Sequence, residues 1–188
     1  DLDGDGWQDF YITHFYADSA TLFRNLGGKR GFEDVTGYAQ LHELTLESLG
    51  FGTVMQDFDQ NGTMEFLIAN GHVDSQIGEH LYRMRPQLFT YAEPVFKDLG
   101  AQGGDYFKER VVGRGVTTAD YDDDGDLDVI MVHQNAPSEL LRNDSGRGGW
   151  LKCKFRGSAA NRRGIGCRVV VEGKSGGKLT AELCGGSS

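Results

Sequence analysis

Three prolines and three cysteines are few for a chain of 188 residues, and each shortage restricts the fold. With so little proline, tight turns must come from glycine, of which there are 28, the composition of an all-β chain with many reversals. The cysteines, Cys153, Cys167 and Cys184, all lie in the last forty residues. An odd number leaves at least one thiol unpaired within the chain, and no CxxC spacing or adjoining histidine cluster offers a zinc site. They read as small buried strand residues, with a single disulfide as the alternative. No run approaches the roughly 20 apolar residues of a membrane helix, and no basic-then-apolar leader is visible. The chain opens on Asp1 inside a motif and stops at Gly185-Gly186-Ser187-Ser188, so it reads as a piece of a longer protein. Hydrolase signatures such as GxSxG or HExxH are missing, and His14, His42, His72, His80 and His133 are scattered. Positive charge is also short: 19 Lys and Arg against 28 Asp and Glu give a net charge of −9, which argues against a nucleic-acid partner.

What is present is a repeat. DLDGDGWQDF from Asp1 to Phe10, DFDQNGTMEF from Asp57 to Phe66 and DYDDDGDLDV from Asp120 to Val129 align directly, their starts 56 and 63 residues apart. Each leads into an apolar, β-prone run: Phe10-Tyr11-Ile12, Phe66-Leu67-Ile68-Ala69 and Val129-Ile130-Met131-Val132. Glycine-rich extended segments precede the second and third, beginning at Leu49 and Val112. Further on come Leu22-Phe23-Arg24-Asn25, Gln87-Leu88-Phe89 and Leu140-Leu141-Arg142-Asn143, and after two of these Phe32-Glu33-Asp34-Val35 and Phe96-Lys97-Asp98-Leu99. The order strand, acidic loop, strand, turn, strand, turn, strand predicts an all-β fold: a partial β-propeller of about three four-stranded blades over residues 1–148. From residue 149 the acidic loops stop and the charge turns basic. Strand candidates at Trp150–Phe155, Cys167–Glu172 and Lys178–Leu183 predict a small β module, cut short at 188. A helix is credible only around Ala39 to Ser48, and His72 to Arg85 reads as a long excursion between strands.

The acidic loops hold thirteen of the 28 acidic residues. Oxygen-bearing side chains stand at positions 1, 3, 5 and 9 around a glycine at position 6: Asp1, Asp3, Asp5 and Asp9 around Gly6; Asp57, Asp59, Asn61 and Glu65 around Gly62; Asp120, Asp122, Asp124 and Asp128 around Gly125. Alternate spacing converges the carboxylates, and the glycine bend lets position 7 (Trp7, Thr63, Asp126) offer its carbonyl. Calcium takes six to eight oxygens in a tolerant geometry, whereas magnesium demands a strict octahedron, so about three Ca²⁺ ions are expected. Three divalent ions would move the net charge from −9 to −3. The EF-hand opens with the same spacing but needs a bidentate Glu at position 12, where this chain has Ile12, Ile68 and Met131. The second loop, with three formal charges and a longer Glu65, is expected to bind most weakly.

Outside the loops no pair of carboxylates marks an active site; Asp105, Glu109, Glu79 and Glu93 remain without a joining motif. His72, His80, Tyr82, Phe89 and Tyr91 form the most suggestive alternative, a polar loop with aromatic flanks suited to sugars, against the plainer reading of solvated loop and core strand residues.

These residues resemble the FG-GAP (VCBS-type) repeats of integrin-α-like β-propellers. The order of glycine-rich strand, DxDxDGxxD, apolar strand and LFRN is closest to propellers ending in an ASPIC/UnbV module, the cartilage acidic protein group among them. Trp150-Leu151-Lys152, Asn161 to Val169 and Gly185-Gly186-Ser187 look like the start and middle of that module. Departures are Asn61, Glu65 and Cys167, the last standing where a small residue is common. The resemblance implies a secreted, periplasmic or cell-surface protein, stabilised by calcium and used as a non-enzymatic scaffold for adhesion or for an unidentified protein or carbohydrate ligand, with the rest of the propeller outside this chain. The alternatives are the propeller portion of a polysaccharide-acting enzyme, or a purely structural segment of a surface protein.

Overall fold

The computed structural model describes residues 1–146, 148–157, 160–173 and 178–183, and it is an all-β, partial propeller. Strands β1 (Phe10–Ile12), β2 (Thr21–Asn25) and β3 (Phe32–Asp34) form the first antiparallel sheet in sequence order. Strands β4 (Gly50–Gln56), β5 (Glu65–Asn70), β6 (Gln87–Ala92) and β7 (Val95–Asp98) form the second. Strands β8 (Gly113–Ala119), β9 (Asp128–His133) and β10 (Glu139–Leu141) form the third. The expected count of four strands per blade therefore holds only for the second sheet. Among the described residues, no strand precedes β1 in the first sheet and none follows β10 in the third.

Side-chain alternation explains how the sheets stack. A strand in a sheet covered on both faces must be apolar on both, and β5 is buried at all six positions. Its Phe66 and Ile68 point into a core with Leu22, Ala39, Leu41, Phe89 and Phe96 beside the first sheet. Leu67 and Ala69 point the other way, into a core with Val54, Phe107, Val116, Val129 and Met131 beside the third. Each full burial of such a side chain contributes roughly 1.5–3 kcal/mol. In β9 only one face is covered, and Ile130 and Val132 stay exposed between buried Val129, Met131 and His133.

The glycine-rich strands have a packing cause. β8 approaches both β4 and β5 so closely that a Cβ on Gly52 of β4 would stand 2.7 Å from the Val116 backbone nitrogen, and one on Gly113 would meet the Asn70 carbonyl oxygen of β5 at 3.0 Å. Only glycine lets two backbones meet at that distance.

Helix α1 (Leu41–Thr45) falls inside the expected helical stretch but is shorter. The long excursion contains a 3₁₀ turn at Ser75–Ile77 and helix α2 (Glu79–Tyr82). Beyond the third sheet, β11 (Arg168–Glu172) and β12 (Lys178–Glu182) form a separate hairpin, as expected, but Trp150–Phe155 is not a strand. Two of its residues reach the third acidic loop, where the Trp150 indole covers Gly125 and the Lys152 ammonium meets Asp120 and Asp123, while Leu151, Cys153 and Phe155 face β11 and β12. Cys153 and Cys167 are exposed and not joined to each other, rather than buried. Cys184 and Gly185-Gly186-Ser187-Ser188 lie outside the described residues.

Candidate metal-binding loops

All three acidic loops fold alike, and the backbone shows why. Positions 4 and 6 have positive φ in each: Gly4 and Gly6 at 73° and 89°, Gln60 and Gly62 at 57° and 92°, Asp123 and Gly125 at 60° and 95°. Two left-handed residues two apart wind the loop tightly, and the position-6 values favour glycine in all three. Side chains fasten the coil. The position-1 carboxylate accepts the position-6 N–H in the first two loops, Gly6 to Asp1 at 3.0 Å and Gly62 to Asp57 at 2.9 Å. The position-5 side chain accepts the position-7 N–H throughout, in Trp7 to Asp5, Thr63 to Asn61 and Asp126 to Asp124.

Position 9 is different in kind. Asp9, Glu65 and Asp128 are buried, and each accepts the backbone N–H of position 2: Leu2 at 2.6 Å, Phe58 at 2.9 Å and Tyr121 at 3.1 Å. In loops 1 and 3 the other oxygen accepts the backbone N–H of the asparagine ending LFRN or LLRN, Asn25 or Asn143, both at 2.8 Å. In loop 2 the Thr90 hydroxyl donates to Glu65 instead, at 3.1 Å. Position 9 thus joins each loop to the second strand that follows it, at β2, at β6 or just past the end of β10, a role that the spacing alone did not reveal.

The structure brings together Asp1, Asp3 and Asp5; Asp57, Asp59 and Glu65; and Asp120, Asp122 and Asp128, each trio presenting carboxylate oxygens within 4.8 Å of one another. Asp9 and Asp124, counted equally with these from the sequence, are not in the trios. Asp5, Asn61 and Asp124 are exposed residues. Asp126 has its side chain occupied by Gln60 and by the Gly146 N–H, which leaves only its carbonyl for the role expected at position 7. The Thr63 hydroxyl is likewise used, on Asn61 at 2.6 Å, and the Trp7 ring lies against Gly27.

A hard cation suits this donor set on two observations. Asp1 Oδ1 and Asp120 Oδ1, the same atom in two loops, are buried without any hydrogen-bond partner. An orphaned carboxylate oxygen in a converging all-oxygen cluster is what an oxygen-seeking divalent ion would satisfy. Mutual repulsion also shows: Asp122 is held above the usual carboxylate range by desolvation and by Asp124 and Asp128, while Glu65 is raised by burial, with Asp59 and Asp57 adding to it. Basic side chains relieve part of this. The Arg24 guanidinium pairs with Asp3, Arg142 lies 3.6 Å from Asp122, and Lys152 is 3.3 Å from Asp120.

Residues 1–68 match the model of the FG-GAP-like repeat family. The match spans the first loop and sheet and the second loop. The third loop lies beyond it, yet repeats the same φ signs and position-9 bonds. No curated protein matches the chain.

Among the described residues, the side chains of the alternative polar loop are mostly taken up in packing. His72 is buried rather than solvated: its Nδ1 accepts the Asp74 N–H, and Phe15 packs edge-on against its ring. Phe89 is a core residue. Tyr91 packs on Phe96, and the His80 side chain lies outside what is described. His133 is also satisfied, its Nδ1–H donating to the Pro137 carbonyl and its Nε2 accepting from Tyr106. Asp105 pairs with Lys108 and Glu79 with Arg83, both on the surface. No helix among the described residues is long and apolar enough to cross a membrane.

Proposed function

We propose that the three loops are structural calcium sites and that the stacked sheets are a non-enzymatic scaffold of the secreted or cell-surface integrin-α-like kind, followed from residue 149 by an ASPIC/UnbV-type module. The observation that carries the reading is the pair of buried, unpartnered oxygens on Asp1 and Asp120, at the same position of two loops that share one backbone conformation. Asp1, Asp3, Asp5 and Asp9, with their counterparts Asp57, Asp59, Asn61 and Glu65 and Asp120, Asp122, Asp124 and Asp128, would hold the ions, joined by the carbonyls of Trp7, Thr63 and Asp126. Bound calcium supplies positive charge where carboxylates repel one another, and so fixes the loops between their strands.

The chain's own residues then do the positioning. Asp9, Glu65 and Asp128 pin the loop ends to β2, to β6 and to the segment just past β10, and Gln60 links loop 2 to loop 3 through Asp126 and the Gly125 carbonyl. An ion that orders one loop therefore braces its neighbour. Isothermal calorimetry with calcium, paired with melting in calcium and in chelator, tests this. Uptake of about three ions with a rise in Tm of several degrees is expected. No uptake, with identical melting in chelator, would reduce the loops to polar turns.

A further inference from the structure

We propose that Lys152 is a built-in counter-ion of loop 3, latching the chain that leads to the β11–β12 hairpin onto that loop, and that it yields the loop when calcium binds and so releases the latch. The proposal rests on the calcium reading of the loops. One oxygen distinguishes loop 3 from the other two. In loops 1 and 2 the Oδ2 atom of position 1, on Asp1 or Asp57, accepts the N–H of the position-6 glycine. In loop 3 the same atom of Asp120 faces the Lys152 ammonium at 3.3 Å, and that ammonium also reaches Asp123. A cation from a distant segment thus stands where the other loops make their own closing bond.

Other contacts flank it. The Asn143 amide and the Ser145 hydroxyl both donate to the Phe58 carbonyl, at 2.8 and 3.2 Å, and the Gly146 N–H donates to Asp126 at 3.0 Å. Gly148 passes so near loop 2 that a Cβ on it would stand 2.7 Å from the Gln60 carbonyl oxygen, and the Trp150 indole covers Gly125. Farther on, Arg168 of β11 pairs with Glu182 at 3.5 Å, and its Nη1 lies 3.6 Å from the point that a Cβ on Gly6 of loop 1 would occupy. Basic groups that the sequence shows only as a change of charge after residue 149 therefore lie against the acidic loops.

Asp120 is asked to serve two cations. Its Oδ1 is buried without a partner and belongs to the converging trio with Asp122 and Asp128, while its Oδ2 holds Lys152. Two positive charges on one carboxylate repel each other. The lysine is the weaker competitor: its side chain is 59% exposed and regains full hydration on leaving, as a surface ion pair readily allows. Asp120 Oδ2 is then free to accept the Gly125 N–H, the arrangement of loops 1 and 2. The bonds at Asn143, Ser145 and Gly146 use the Phe58 carbonyl and the Asp126 side chain, none of them counted among the cation's donors, so they persist. Release is confined to the chain from Trp150 onward. By linkage, ammonium and calcium weaken each other by the same factor.

Amine labelling of the whole chain in calcium and in chelator, with the rate at each lysine read by mass spectrometry, tests the release. Lys152 should react roughly threefold faster or more in calcium, while Lys29 and Lys97, exposed and outside the loops, should keep their rates. In calorimetry, Lys152→Gln should bind calcium at one site roughly threefold to tenfold more tightly than the parent. Equal labelling of Lys152 in both states of a chain that takes up calcium, or unchanged affinity in Lys152→Gln, would overturn the latch and leave the loops as calcium sites. No uptake by parent or variant would overturn the loop assignment, and the latch with it.

Discussion

Loops 1 and 3 share a construction that loop 2 does not, and the difference changes what the acidic residues mean. Counted along the chain, loop 2 is the poorest site, with three carboxylates where the others have four or more. In space, the arginine of LFRN and LLRN returns against position 3 in the richer loops, Arg24 on Asp3 and Arg142 near Asp122. Loop 2 has Thr90 at that register position and no guanidinium. One cation against four carboxylates leaves loop 1 with the same net charge as loop 2, while Arg142 and Lys152 offset two of the six carboxylates of loop 3. The charge a cation meets is set by the strand opposite as much as by the loop. Compared with loop 1, the expected weakness of loop 2 then rests on Asn61 and Glu65, not on charge.

The largest effect should come from the buried end of the loop. Asp128 is almost wholly buried and accepts two backbone N–H groups, so Asp128→Ala strands both. A cost of about 2–4 kcal/mol is expected in chelator, before any metal is considered. Glu65→Ala strands one N–H, from Phe58, while the Thr90 hydroxyl is free to turn, and should cost about half as much. Urea unfolding in chelator compares them. Equal costs would erase the structural distinction between the loops.

A smaller effect sharpens the electrostatic side. Removing a cation beside a metal site should strengthen cation uptake, so Arg24→Gln is expected to raise calcium affinity roughly threefold to tenfold, the modest range of a half-exposed pair. Thr90→Arg should weaken loop 2 by a similar factor. Calorimetric titration reads both. If Arg24→Gln lost affinity instead, the guanidinium would be holding Asp3 in place rather than competing for it.

How far this was legible in the chain depends on whether a contact is local. The loops, the strands beside them and the β11–β12 hairpin follow from period-two patterning and from spacing within ten residues. Glycine at position 6 was readable for the same reason. The left-handed conformation at position 4 was not, because Gln60 and Asp123 adopt it without glycine's signature. Asn25 and Asn143 were seen as an echo but had no assigned task, since their bonds to Asp9 and Asp128 run between strands fifteen or sixteen residues apart. Trp150 to Phe155 alternates like a strand, and only tertiary contact with Gly125 and Asp120 shows it committed elsewhere.

The smallest expected effect concerns pH, and it isolates loop 2. Burial, with Asp59 and Asp57 adding to it, holds the Glu65 carboxyl above its ordinary range, and the bonds from Phe58 and Thr90 offset this only in part. The folded chain therefore keeps that proton to higher pH than the unfolded chain. The stability this lends is fully present below the ordinary glutamate pKa, about 4.3, and is lost as pH rises through the raised folded value. Asp34 runs the opposite way: its bonds from the Thr36 hydroxyl and N–H lower its pKa, so its contribution is present above the ordinary aspartate value and fades on acidification. Glu65→Gln removes only the first of these. In chelator the variant should gain on the parent as pH rises through that window, by urea midpoint. With calcium bound the sign should reverse, because the ion favours the ionised carboxylate that glutamine cannot supply. Parallel curves in chelator would mean that Glu65 is better solvated than its burial implies, and that loop 2 carries no strain for a cation to relieve.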